Sequence, residues 1–191
     1  KSFLSEMNIT QGEETIKGRY EIENGDIYEG DLKNNQIDGK GKMIFGDGGL
    51  YEGEWKLGME EGEGKRIYRN GDIYEGQWWD GYMHGQGKMT MQNGDTYEGE
   101  WRESTMDGQG KMTYKNGDTY EGEWKDCQPD GQGKIIHNNG AIYEGTDKNG
   151  QKHGQGKAIF QTGDIYEGEF EKNQPHGQGK MIMKNGDIYE G

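Results

Sequence analysis

Histidine is the first residue type in this chain that could do chemistry. His84, His153 and His176 fall in one slot of a recurring pattern, and imidazoles at a fixed spacing are what zinc selects. Two of them on one ion would need ring nitrogens about 2 Å from the metal. Copies one repeat apart in a ladder of strands stand about 10 Å apart, because two strands intervene at about 4.8 Å each. Asp38, Glu61, Asp107 and Asp130 fill the same slot elsewhere. The slot therefore reads as a side chain that bonds loop backbone, and no metal is expected.

Other motifs fail for equally specific reasons. Gly85-Gln86-Gly87-Lys88 and its copies suggest a phosphate loop, but such a loop needs Ser or Thr after the lysine and a helix beyond it. Here Met, Ile, Ala or Arg follows, so a structural turn is expected. The Asn-Gly-Asp turns lack the Asp-x-Asp-x-Asp-Gly spacing and distal Glu of a calcium loop and read as solvated turns. Cys127 has no paired base, and it aligns with Asn35, Gly58, Gly81, Ser104, Gly150 and Asn173, a loop slot that favours positive φ. Ser2, Ser5 and Ser104 lack a His-Asp setting. No catalytic residue, cofactor site or metal site is expected, and the chain is read as no enzyme.

The elements that carry these motifs are repeats. Tyr-Glu-Gly begins at Tyr28, Tyr51, Tyr74, Tyr97, Tyr120, Tyr143, Tyr166 and Tyr189, one copy every 23 residues. A period of that length marks a repeat architecture. Residues 1–17 fall outside it and read as a lead-in or cap, with an apolar cluster of Phe3, Leu4, Met7 and Ile9. Residues 18–191 form the tandem array. The first residue is not Met, and Gly191 stands three residues into a repeat, so the chain is expected to be a piece of a longer protein.

Composition agrees with ordered repeats rather than with a linker. The 37 glycines occur at fixed repeat positions with only 2 prolines and no Gly-X-Y period, so they are geometric. A net charge of −14 repels phosphate backbones and anionic leaflets, which argues against nucleic acid and disfavours membrane lipid. One cysteine excludes an internal disulfide framework and fits a reducing compartment. No apolar run approaches the roughly 20 residues that cross a bilayer as a helix.

Within a repeat, Tyr51–Trp55 reads as one strand and Gly64–Tyr68 as the next, separated by a glycine-rich loop. Alternation puts Tyr51, Gly53 and Trp55 on one face and Glu52 and Glu54 on the other. A two-residue turn at Asp47-Gly48 would mix Met43 and Phe45 with those glutamates. A three-residue loop ending in Gly48 instead places Gly41, Met43, Phe45, Tyr51, Gly53 and Trp55 together. It also pairs Ile44 with Leu50, Ile67 with Ile73, Thr90 with Thr96, Thr113 with Thr119, Ile136 with Ile142, Ile159 with Ile165 and Ile182 with Ile188. Lys42 then opposes Glu52, and the Lys/Glu match recurs down the chain to Lys180/Glu190. Such pairs contribute roughly 0.2–1 kcal/mol each, enough in sum to fix a register. The fold class expected is all-β, an elongated single-layer antiparallel meander of tandem β-hairpins.

The stretch from Tyr74 through Trp78 and His84 to Gly87 resembles a complete MORN repeat, the membrane occupation and recognition nexus motif Y-E-G-x-W-x-x-G-x-x-H-G-x-G. The resemblance covers residues 18–191. It implies a non-enzymatic scaffold whose aromatic groove receives a helical or extended segment of another protein, with radial spoke heads of the ciliary axoneme among the settings of the family. It equally implies, as an alternative, a membrane tether, a phosphoinositide-binding module, or the targeting arm of an enzyme. The Trp position departs to Leu32, Asp147 and Phe170. The repeat from Tyr143 is the weakest, with Thr146-Asp147 for Glu-Trp and Ala141 for the turn Asp, which marks it for a bend or a partner contact.

Surfaces are thus expected to carry the function. A single-layer sheet cannot bury one aromatic face against itself completely, and hot spots are rich in Trp and Tyr. Partner-binding residues are expected at Trp55, Trp78, Trp79, Tyr82, Met83, Trp101, Trp124 and Phe170, with Trp79, Tyr82 and Met83 an exposed group that most repeats lack. Other proteins with basic patches are the expected partners, a second copy of the chain among them, in the cytoplasm and on the cytoskeleton.

Overall fold

The computed structural model describes residues 15–22 and 24–191. The apolar cluster of Phe3, Leu4, Met7 and Ile9 lies outside the described residues. Among those described there are sixteen β-strands and no helix. They are β1 (Thr15–Glu21), β2 (Ile27–Lys33), β3 (Gln36–Ile44), β4 (Leu50–Lys56), β5 (Met59–Ile67), β6 (Ile73–Trp79), β7 (Tyr82–Thr90) and β8 (Thr96–Arg102). There follow β9 (Thr105–Thr113), β10 (Thr119–Lys125), β11 (Gln128–Ile136), β12 (Ile142–Lys148), β13 (Gln151–Ile159), β14 (Ile165–Glu171), β15 (Gln174–Ile182) and β16 (Ile188–Glu190). The strands take their places in one open sheet in chain order, as a meander. The described residues divide into two compact units, those up to 92 with 102–104, and 93–101 with 105–191.

The loop joining β3 to β4 has the expected register. Ile44 faces Leu50, Lys42 faces Glu52 and Gly41 faces Gly53. Phe45 N donates to the Gly49 carbonyl and Gly48 N to the Phe45 carbonyl, both at 2.9 Å, with Gly48 at φ 93°. This is a three-residue loop closed by a left-handed glycine. The same facing pairs recur at Ile67/Ile73 in the first unit and at Thr113/Thr119, Ile136/Ile142, Ile159/Ile165 and Ile182/Ile188 in the second.

The second connection of each repeat differs from expectation. Between Trp55 and Gly64 there is no open loop: β4 and β5 continue to Lys56 and Met59 around a two-residue turn, Leu57-Gly58, at φ 50° and 85°. Two successive positive φ values make a type I′ turn, whose twist suits a tight hairpin. Cys127 at φ 62° and Ser104 at φ 64° sit in the expected left-handed slot. The Gly-x-Gly segment, expected as a turn, is a bulge inside a strand. Beside Gly53 the register slips from Gly64 to Glu61, leaving Gly62 and Glu63 without facing residues in β4, while β6 sets Trp78 and Gln77 opposite them. Side chains from the facing strand clamp this segment in four repeats: Asp31, Gln77, Glu100 and Glu123 accept from the backbone N–H of Lys40, Gln86, Gln109 and Gln132 at 3.0–3.2 Å.

Glycine at Gly53 and Gly64 has a packing cause. The Tyr51 ring lies across both, and a Cβ on Gly64 would collide with the Tyr51 hydroxyl. Glycine is what lets an aromatic ring lie flat on the sheet.

Candidate partner-binding surface

One face of the sheet is an aromatic layer closed by its own contacts. From Tyr28 to Tyr166, the hydroxyl of each Tyr-Glu-Gly tyrosine donates to the carbonyl three residues on, as Tyr51 does to Glu54 at 3.0 Å and Tyr97 to Glu100 at 3.0 Å. The next tryptophan then packs edge-on: Trp55 and Trp78 stand 4.9 and 5.2 Å from the Tyr51 ring. Indole nitrogens find carbonyls, Trp55 to Gly41 at 3.1 Å and Trp124 to Gly110 at 3.0 Å. Burial raises the hydroxyls of Tyr28, Tyr51, Tyr74, Tyr97, Tyr120 and Tyr143 well above their ordinary range, to about 12 at Tyr28 and Tyr143. They stay neutral and offer no base at physiological pH.

Trp55, Trp78, Trp101, Trp124 and Phe170 lie in this layer at 4–5% exposure. Met83 differs from the exposed position expected for it. It faces Trp78 in the ladder, is 8% exposed, and its sulfur accepts from the Tyr68 hydroxyl at 3.6 Å. The slip at the bulge puts Met83 on the aromatic face. Trp79 and Tyr82, directly opposed at the base of their turn, point to the other face and are 54% and 50% exposed. The Trp79 ring is 5.7 Å from that of His84.

Polar side chains interrupt the aromatic layer at two places that the sequence did not single out as pairs. In the first unit Glu60 and Arg66 take the slots of Met83 and Met89, form an ion pair, and the guanidinium lies 4.2 Å from the Phe45 ring centre. In the second, Asp147 faces Lys152, whose ammonium is 4.7 Å from the Tyr143 ring centre. Asp147 is 8% exposed and its Oδ2 has no hydrogen-bond partner. Burial pushes its carboxyl up to about 6, and burial lowers the Lys152 ammonium.

The remaining expected chemistry resolves into structure. Asp38, Glu61 and Asp130 accept from the turn N–H groups of Leu57, Asp80 and Asn149 at 3.5, 3.1 and 3.1 Å, as the slot predicts. His153 and His176 are exposed, and among the described residues no group of three or more His, Cys, Asp or Glu gathers as a metal site. The Asn-Gly-Asp aspartates are not merely solvated. Asp72 and Asp95 each accept from the backbone of the loop one repeat on, at Gln92 and Lys115, both 2.8 Å. On the outer face of the second unit an open groove of about 770 Å³ has Gly145, Gly156, Gly168 and Gly179 in its lining, with Lys157 and Lys180 paired to Glu167 and Glu190 along it.

Comparison with solved structures finds the same kind of sheet at low identity. The wild-type TCP10 domain of Danio rerio CPAP is 15% identical, with a TM-score of 0.53 over 91% of this chain and 82% of that one. The G-box domain of the microcephaly protein CPAP is 14% identical, with a TM-score of 0.51 over 92% and 97%. Likeness at this level shows the fold. No sequence among curated proteins matches. The MORN repeat model matches seven consecutive segments, residues 28–50, 51–73, 74–96, 97–119, 120–142, 143–165 and 166–188, each opening on a Tyr-Glu-Gly tyrosine and holding one type I′ turn. The chain belongs to the MORN repeat family.

Proposed function

We propose that the protein is a non-enzymatic scaffold that receives elongated segments of other proteins within a cytoskeletal assembly. The observation that carries this reading is Trp79 with Tyr82, two large aromatic side chains held half exposed at the base of a rigid turn. Exposed aromatics on a fixed frame lose little entropy on binding and are the usual anchors of interfaces. Trp55, Trp78, Trp101, Trp124 and Phe170 then act from beneath, by holding the sheet rigid, because their own surface is already covered. Placement in the cytoplasm, at a ciliary axoneme and in a radial-spoke-like assembly follows from the family alone.

The test is affinity capture with the Trp79→Ala/Tyr82→Ala double variant beside wild type. Proteins captured by wild type should be lost from the variant while its thermal unfolding stays unchanged; undiminished capture overturns the assignment of this surface. Co-sedimentation with anionic vesicles tests the membrane alternative. Strong, salt-sensitive binding would favour it over the scaffold.

A further inference from the structure

The type I′ turns share one backbone and differ in what they display. The opposed residues at their bases are Lys33/Gln36, Lys56/Met59, Trp79/Tyr82, Lys125/Gln128, Lys148/Gln151 and Glu171/Gln174. At two consecutive turns of the first unit the display turns apolar. Leu57 is 62% and Met59 43% exposed, next to Trp79 and Tyr82.

These turns are stitched together: Gly81 N donates to the Glu60 carbonyl at 3.0 Å and Asp80 N to Glu61 Oε2 at 3.1 Å. The four side chains therefore lie along one edge, with Asp38, Glu61 and Asp80 beside them and Lys56 at the base of the first turn; the following turn is stitched on in the same way, Ser104 N donating to the Met83 carbonyl at 2.9 Å, and brings exposed Arg102 and Glu103. Patches of this kind on soluble chains mark interaction sites.

We propose that this edge docks a partner protein's segment in which arginine alternates with aliphatic residues. The inference rests on the scaffold reading and names its partner chemistry. Leu57 and Met59 offer aliphatic contact, and Trp79 offers an indole face on which a planar guanidinium can stack while donating to the carboxylates of Asp80 and Glu61. The same unit already uses this combination internally, where Arg66 lies over Phe45 and pairs with Glu60. The net charge of −14 adds attraction to a cationic segment.

The probe is a short labelled peptide alternating arginine and leucine, compared with peptides in which lysine replaces arginine or serine replaces leucine. The full chain is titrated by anisotropy, with indole emission recorded in parallel. Trp79 dominates any emission change, because Trp55, Trp78, Trp101 and Trp124 are buried. The arginine–leucine peptide is expected to bind at least roughly tenfold more tightly than either analogue, to shift the indole emission, and to lose about tenfold on Trp79→Ala/Tyr82→Ala or Leu57→Ser/Met59→Ser. Glu61→Gln with Asp80→Asn should abolish the preference for arginine over lysine.

Equal affinity for all three peptides, or affinity unaltered in the variants, would show bulk attraction to an acidic chain and overturn the proposal. If the peptides fail to discriminate while affinity capture still depends on Trp79 and Tyr82, the arginine inference falls and the scaffold reading stands. Loss of both removes the surface itself.

Discussion

Within the second unit, Trp124 and Asp147 occupy the same slot one repeat apart, and the backbone does not register the difference. β10 and β12 carry the same bulge, and the Tyr120 and Tyr143 hydroxyls make the same donation, to Glu123 at 3.3 Å and Thr146 at 2.7 Å. The side-chain layer differs greatly. The Trp124 ring packs at 5.2 Å against both Tyr97 and Tyr120, whereas Asp147 brings a buried carboxyl with an unpartnered oxygen and a lysine to face it. Register is thus set by the ladder, the glycines and the turns, and the slot residue determines how strongly the layer holds. The repeat from Tyr143, marked in the sequence for a bend or a contact, keeps the register of its neighbours.

The comparison breaks most readily at the tryptophan. Trp124→Ala should cost about 3–5 kcal/mol, the range for deleting a buried large aromatic, while Asp147→Ala should be near neutral at pH 8, because it removes a burdened carboxylate along with its contacts. Urea unfolding of both variants measures this. Equal losses would mean that Asp147 holds the layer as firmly as an indole does.

A smaller effect separates the two regions by pH. The folded chain keeps the Asp147 proton up to about 6 because of burial, while an unfolded aspartate releases it near about 4. Between those values the folded state binds the extra proton, so stability falls as pH rises through the interval. Above it the cost of the charged form is fully present, roughly 2–3 kcal/mol. Asp118, Asp164 and Glu167, whose carboxyls are lowered by hydrogen bonds, act in the opposite sense below this window. Asp147→Asn should flatten the profile between pH 4 and 6 in thermal melts, and a slope that persists in the variant would assign it to other groups.

How much of this was legible follows from what each feature needs. Facing pairs such as Thr113/Thr119 could be read because like side chains meet across a three-residue loop, so side-chain identity alone selects the register. The type I′ turns were hidden because their first positions, Leu57, Asp80 and Lys172, carry no glycine to announce φ near 50°. The Gly-x-Gly segment looked like a turn since a bulge and a turn both use left-handed glycine. Trp79 was legible as exposed because strand alternation suffices there. Met83 was not, since the slip that turns it inward depends on the bulge. Leu57 and Met59 were missed because each is unremarkable alone, and they join Trp79 only when two turns are seen stitched side by side.

The smallest effect is expected on the outer face, where Lys65/Glu75, Lys111/Glu121, Lys134/Glu144, Lys157/Glu167 and Lys180/Glu190 stand as ion pairs at 2.6–3.7 Å. Their side chains are substantially exposed, so solvent screens the attraction. Double-mutant cycles on such pairs give about 0.2–1 kcal/mol. A cycle on Lys134 and Glu144, each changed to Ala, should return a coupling near the low end of that range and lose it at molar salt. The register should survive in the double variant, because Ile136 still faces Ile142 and Gly133 still faces Gly145. A coupling as large as the loss at Trp124 would reverse the division drawn between the two faces. It would place the strength of the array in its charged ladder rather than in the rings on the glycine floor.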